Sequence, residues 1–114
     1  MANPSAEGGT GAGTEVLRRK YGEAGAATAI SPGTDKIMTI ISIIWCSSQT
    51  SQQTISLVLS ADGSTTIEML KTQDLMSNET FTWNDRFVIA GTDSLTADAS
   101  GNADIIISYI EQAF

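Results

Sequence analysis

Histidine is absent from the 114 residues, cysteine occurs once, and only six residues are Lys or Arg. Without histidine the chain lacks the commonest general base and metal ligand. Ser-His-Asp and Cys-His arrangements are therefore excluded, and a tetrahedral zinc site is short of ligands. The lone Cys46 rules out an intrachain disulfide. Lying inside an apolar stretch, it reads as a buried, inert core thiol and fits a reducing place of synthesis. No apolar run approaches the roughly 20 residues of a membrane helix. The N-terminal Met-Ala-Asn-Pro-Ser-Ala-Glu lacks the basic-then-apolar order of a secretory signal. These features predict a soluble protein, not exported by that route and without a membrane partner.

Charge is also scarce. Charged residues make up 17% of the chain, while Ser, Thr, Asn and Gln are plentiful, a balance that suits strands better than Glu- and Lys-rich helices. The net charge of −7 disfavours nucleic acid, which demands clustered Lys and Arg. The few cations are unevenly placed. Residues 1–20 sum to +1 through Arg18, Arg19 and Lys20, whereas residues 21–114 sum to −8. A basic knot before an acidic body can steer the N-terminal segment toward an acidic partner or a neighbouring copy.

What the chain has in quantity is isoleucine in strand-forming runs. From Ile37 to Cys46 it reads Ile-Met-Thr-Ile-Ile-Ser-Ile-Ile-Trp-Cys. Strict alternation puts Ile37, Ile41, Ile43 and Trp45 on one face and Met38, Ile40, Ile44 and Cys46 on the other. The closing stretch behaves alike, with Ile105, Ile107 and Tyr109 opposing Ile106 and Ile110. A small antiparallel domain normally buries one face and wets the other. Two strands that are apolar on both faces leave surface needing a second cover, either residues 1–30 folded back or another subunit. Ile40, Ile44, Ile106 and Ile110 are the expected subunit interface, and a closed symmetric oligomer, with a trimer favoured, satisfies every patch.

Turn signals divide the rest. Residues 1–14 are Gly-, Ala- and Ser-rich without period and read as a flexible arm. Their glycines do not make a phosphate loop, because no strand precedes them and no Lys-Ser/Thr follows. Residues 15–25 have room for one or two helical turns around Val16 and Leu17, cut short by Gly22 and Gly25, and are read as an arm or docking strand. Leu17, Arg18, Arg19, Lys20 and Tyr21 are its candidate docking residues. Strands are expected over 26–31, 36–47, 53–61, 65–70, 79–83, 86–90, 94–99 and 104–111, with turns at Ser31-Pro32-Gly33, Asp62-Gly63, Gly91-Thr92-Asp93 and Gly101-Asn102. Seven or eight short strands predict an all-β antiparallel sandwich or jelly roll over residues 26–114, preceded by an arm over 1–25.

Chemistry finds little purchase. Asp85, Asp93, Asp98 and Asp104 sit in or beside expected turns or face outward, where capping is the usual role. Calcium loops need an Asp-x-Asp-x-Asp-Gly pattern that does not occur. Asn78-Glu79-Thr80 matches a glycosylation acceptor by chance in a chain without an export signal. Trp45, Trp83, Tyr21 and Tyr109 could form a sugar-stacking platform, but both tryptophans alternate with core residues. No cofactor, metal or catalytic site is expected.

The layout from Ala26 onward resembles small β-sandwich structural proteins of tailed bacteriophages. The resembling segments are Ser31-Pro32-Gly33-Thr34-Asp35-Lys36 leading into the Ile-rich strand, Glu79-Thr80-Phe81, Ala90-Gly91-Thr92-Asp93-Ser94-Leu95, and the closing strand through Tyr109. In that group a Pro-Gly turn enters the first core strand and a Gly-Asp-Ser-Leu-like corner precedes the last hairpin. The resemblance covers about four-fifths of the chain. It implies a non-enzymatic virion component made in the host cytoplasm, most naturally a capsid decoration or cement protein bound to the major capsid protein or another virion protein. A tail, neck or fibre part is the alternative within the resemblance, and a carbohydrate-binding module the alternative outside it. The Gly-rich arm with Arg18-Arg19-Lys20 is longer than the group's pattern.

Overall fold

The computed structural model describes residues 15–23 and 27–113. The Gly-rich arm expected over residues 1–14 lies outside the described residues. Nine strands follow in order: β1 (Glu15–Gly22), β2 (Thr28–Ile30), β3 (Gly33–Ser47), β4 (Gln53–Ala61), β5 (Thr65–Leu75), β6 (Thr80–Trp83), β7 (Phe87–Gly91), β8 (Ser94–Ala99) and β9 (Ala103–Ala113). Two antiparallel sheets form a β-sandwich. One has the order β1-β9-β3-β6, with β7 also on β3, and the other has the order β2-β8-β4-β5. Among the described residues there is no helix, hence none long and apolar enough to cross a membrane.

Alternation explains most of the strands. In β9, Ala103, Ile105, Ile107 and Tyr109 are buried, while Asp104 and Ile106 are exposed. In the opposing sheet Ile55, Leu57, Leu95 and Ala97 are buried and alternate with outward-facing neighbours that are polar except for Val58. The helical turns allowed around Val16 and Leu17 do not form. The whole of Glu15–Gly22 pairs antiparallel with Gln112 down to Ile105 of β9. An unpaired β9 edge would leave a row of backbone donors and acceptors for β1 to satisfy, and that ladder outweighs a weak local helix preference.

The long central strand departs from strict alternation. Ile40 lies opposite Tyr109, but the next partner pair is Ser42 with Ser108, so Ile41 is an extra residue in β3. Such a bulge reverses the facing of everything beyond it. Met38 and Ile40 point inward before it, and Ile43, Trp45 and Ser47 point inward after it. The expected partition of this strand is therefore corrected in two places. Ile40 is completely buried in the core, not at a subunit surface, and Cys46 is exposed, not a core thiol. Its thiol accepts a hydrogen bond from Thr80 Oγ1 at 3.5 Å.

The bulge has a counterpart on the strand's other edge. There β6 and β7 run end to end as halves of one edge strand, broken at Asn84-Asp85-Arg86, where Phe87 still faces Ile40 and Trp83 faces Ile43. Phe81, Trp83, Phe87 and Ile89 all turn toward the interior, as expected from their spacing. At its centre the fully buried Trp45 meets the Phe81 ring edge-on, with centroids 5.8 Å apart. Its indole Nε1 donates to the Asp98 carbonyl of β8 at 3.2 Å, so one side chain joins the two sheets. β5 is longer than the expected 65–70 because two irregularities opposite Ile55–Val58 absorb extra residues, and Thr72 there takes a φ of 48°.

Side chains clamp both ends of the sandwich. At one end the Gln53 amide donates to Ser47 Oγ at 3.0 Å and the Asn102 carbonyl at 2.8 Å, while its oxygen accepts from Gly101 N at 3.1 Å. Gln49 accepts from Asn102 N at 2.9 Å, and a Cβ at Gly101 would collide with that amide. At the other end Asp62 and Gly63 adopt φ of 53° and 73° in the β4–β5 hairpin, the left-handed geometry that Asp and Gly tolerate. Asp93 ties this hairpin to its own turn. Its carboxylate accepts from Asp62 N at 2.8 Å and from Ala90 N at 3.0 Å.

Those two backbone donors, Asp62 first, hold the Asp93 carboxyl below the usual carboxylate range. A group whose acidity is increased by folding stabilises the fold above its unfolded pKa, about 3.9 for Asp, and loses that contribution as pH falls through the lowered value. Asp93→Asn should therefore melt below the wild type at pH 7, with the gap closing as pH falls below the unfolded Asp value and through the lowered folded one. A gap that stayed constant across that range would mean the carboxylate charge is not what joins the turns.

Candidate interaction surface

Directly opposed residues in an antiparallel pair share a face. Applied across β1, β9 and β3, this rule builds three rows on the outer side of the larger sheet. Leu17 opposes Ile110, which opposes Thr39; Arg19 opposes Ser108, which opposes Ser42; Tyr21 opposes Ile106, which opposes Ile44. Val88 of β7 extends the first row past Thr39. Leu17 is 56% exposed, Tyr21 62%, Val88 57% and Ile106 38%, so the apolar side chains here are in water. Ile41, Ile44 and Ile110 are half-buried among them.

The smaller sheet presents the opposite character. Its outward residues include Ser94, Thr96 and Asp98 of β8, Ser56 and Ser60 of β4, and Glu68 of β5, with Val58 the apolar exception. Four of the six exposed large apolar side chains among the described residues, Leu17, Tyr21, Val88 and Ile106, thus share the outer face of the larger sheet, while Ile67 of β5 and Met76 after it are exposed singly elsewhere. The described part of the N-terminal segment does not cover that face, because β1 widens the sheet at its edge instead of lying across it.

Apart from Arg19 the middle row is built of serines, and the face is dented there. The depression holds about 560 Å³ and is lined by Leu17, Arg18, Arg19, Ile41, Ser42 and Ser108. The bulge at Ile41 and the β6–β7 break bound this row on the far side. A smaller hollow of about 160 Å³ on the other sheet is lined by residues including Thr54, Thr72 and Asp98. The Asp98 carboxylate there already accepts from Ala99 N at 2.8 Å.

The structure sorts the expected site residues. Ile44, Ile106 and Ile110 come together on the outer face with Leu17, Arg19 and Tyr21. Ile40 is removed from that set by the bulge. Arg18 and Lys20 oppose the inward-facing Tyr109 and Ile107, so they lie at the inner rim of the sandwich. Arg18 Nε sits 3.2 Å from Glu111 Oε1, with Arg18 about half exposed, a geometry worth at most about 1 kcal/mol. The basic knot is therefore split across two faces: Arg19 stands in the apolar face, while Arg18, although it also borders the depression, pairs with Glu111 on the other side.

Ser42, Ser108, Ile41 and Val88 were missed as members of this face. Nothing within β3 marks them; the one outward trace of the bulge is that the polar break Asn84-Asp85-Arg86 falls between the Phe87–Ile40 and Trp83–Ile43 pairs.

This surface offers apolar contact, hydroxyls and one guanidinium. Among the described residues no three His, Cys, Asp or Glu side chains are placed to hold a metal ion. Trp45 is buried, and the half-buried Trp83 donates its Nε1 to the Asp85 carbonyl at 2.9 Å. Tyr21 is thus the one strongly exposed aromatic ring among the described residues. No protein-family model matches the chain, and no curated protein matches it in sequence.

Proposed function

We propose that this chain is a non-enzymatic structural protein of a tailed-bacteriophage virion, a capsid decoration (cement) protein bound to the head shell as a symmetric oligomer, with a trimer favoured. Its partners on this reading are further copies of itself and the major capsid protein or another virion protein. The observation that carries the reading is the clustering of apolar side chains on one sheet face: the outer face formed by Leu17, Tyr21, Ile44, Ile106, Ile110 and Val88 is unsuited to water. Contiguous apolar patches of this kind mark association surfaces.

The strand order gives further support. β1 pairs with β9, β2 with β8, β3 with β6 and β7, and β4 with β5. Four nested pairs amount to one long hairpin rolled into two sheets, if β6 and β7 count as a single interrupted strand. That favours reading the sandwich as a jelly roll, an architecture used by viral capsid and lectin domains. Architecture alone does not assign function. A sugar-binding role is less well supported, since neither tryptophan contributes to an exposed aromatic row.

A stained gel of purified virions tests the assignment. A band at 12.0 kDa present in hundreds of copies per particle is the expected result. A few copies per particle would move the protein to the tail, neck or a fibre, and its absence from virions would overturn the reading.

A further inference from the structure

We infer that the depression floored by Ser42 and Ser108 receives Tyr21 from a second copy of this chain. The inference rests on the assembly reading above and specifies the contact within it. A projecting side chain and a recess lie on the same outer face. Tyr21, 62% exposed, stands in the row beside the Arg19–Ser108–Ser42 row. A surface that carries both parts of a contact can be satisfied by copies of itself, which is the condition for a closed symmetric assembly.

Three features of the molecule favour a second copy as the occupant. The first is charge. The chain carries −7, so copies repel over most of their surface. The three central rows of this face contain no acid: their one charged side chain is Arg19, and Glu15 and Asp104 lie toward the ends. The second is area. The domain measures 46 × 32 × 21 Å, and its broad side exceeds the roughly 800 Å² per partner that a stable contact uses. The third is chemistry. An incoming phenol ring finds the aliphatic walls of Leu17 and Ile41, the hydroxyls of Ser42 and Ser108 for its O–H, and the Arg19 guanidinium to stack on its face. Aromatic anchors in such recesses dominate interface energetics.

The recess makes the proposal testable by sign. If the face were merely sticky, adding an apolar ring would strengthen association. If the recess is the receptor, filling it must weaken association. Light scattering across a concentration series would compare the full wild-type chain with Tyr21→Ser and Ser108→Phe, and circular dichroism would check that each stays folded. The wild type should exceed monomer mass, and each variant should associate roughly tenfold or more weakly. Mixing the two should recover part of the association, because one retains the recess and the other the ring. Should Ser108→Phe fail to fold, Ser42→Leu fills the same recess from the opposite strand. A multimeric wild type with Ser108→Phe associating as well or better overturns the recess assignment while leaving the assembly reading standing. A wild type that is monomeric at every concentration overturns both.

Discussion

Deletion of Ile44 should strongly destabilise the domain, whereas deletion of Ile41, three residues earlier, should leave it folded. Both changes remove one half-buried isoleucine from the same face of the same strand, so apolar content does not distinguish them. Register does. Ile41 is the extra residue of the bulge, with Ile40 opposite Tyr109 and Ser42 opposite Ser108. Removing it closes the strand into regular alternation, and Met38, Ile40, Ile43 and Trp45 all continue to face inward. Removing Ile44 shifts every residue beyond it to the wrong face. β3 can then return Trp45 to the core only by giving up its bulge, which draws Ser42 inside and expels Ile43. Replacing a fully buried isoleucine by a serine without a partner loses about 2–5 kcal/mol from the cavity, and the desolvated hydroxyl adds to it. Against a typical total of about 5–15 kcal/mol, that is a large share. Urea unfolding of the two deletions reads the difference directly. Equal damage from both would show that Ile41 is part of the regular ladder and that the facing does not switch there.

Trp45→Ala should lower unfolding free energy by about 3–5 kcal/mol, the largest effect expected of any single substitution here. The side chain is wholly excluded from water, packs edge-on against Phe81, and donates across the sandwich to the Asp98 carbonyl. Truncation opens a cavity at the centre of the core and removes that bond between sheets. Trp45→Phe separates the two contributions, since it keeps most of the ring and loses the donor; about 1–2 kcal/mol is expected from the bond and the smaller ring together. Denaturant midpoints at constant slope would measure both. A Trp45→Ala loss below about 1 kcal/mol would mean that the indole lies at a surface and that the core is centred elsewhere.

Much of the sandwich was readable from local chemistry. β4 and β8 begin and end where their alternation does, because Asp62-Gly63 and Gly91 supply the positive φ their turns use and Gly101 leaves room for the Gln49 amide. Where alternation is disturbed, the local pattern and the fold diverge. Lys71-Thr72-Gln73 resembles a loop because bulges in β5 break its period, and Cys46 resembles a core residue because a bulge five residues earlier is invisible in a run of isoleucines. An apolar residue carries no mark of which side it faces when its neighbours are apolar too.

Composition and turn chemistry alone determined that this protein is an all-β chain with more isoleucine-bearing strand faces than one core can use, since side-chain period and backbone freedom are local properties. Tertiary structure decided which isoleucines those are. The facing of Ile40, Ile44 and Cys46, the separation of Arg19 from Arg18 and Lys20, and the recess between Leu17 and Ile41 all depend on register against strands distant in the chain. Register is a matching of hydrogen-bond ladders and packed faces over the whole sandwich, and no short stretch of residues contains it.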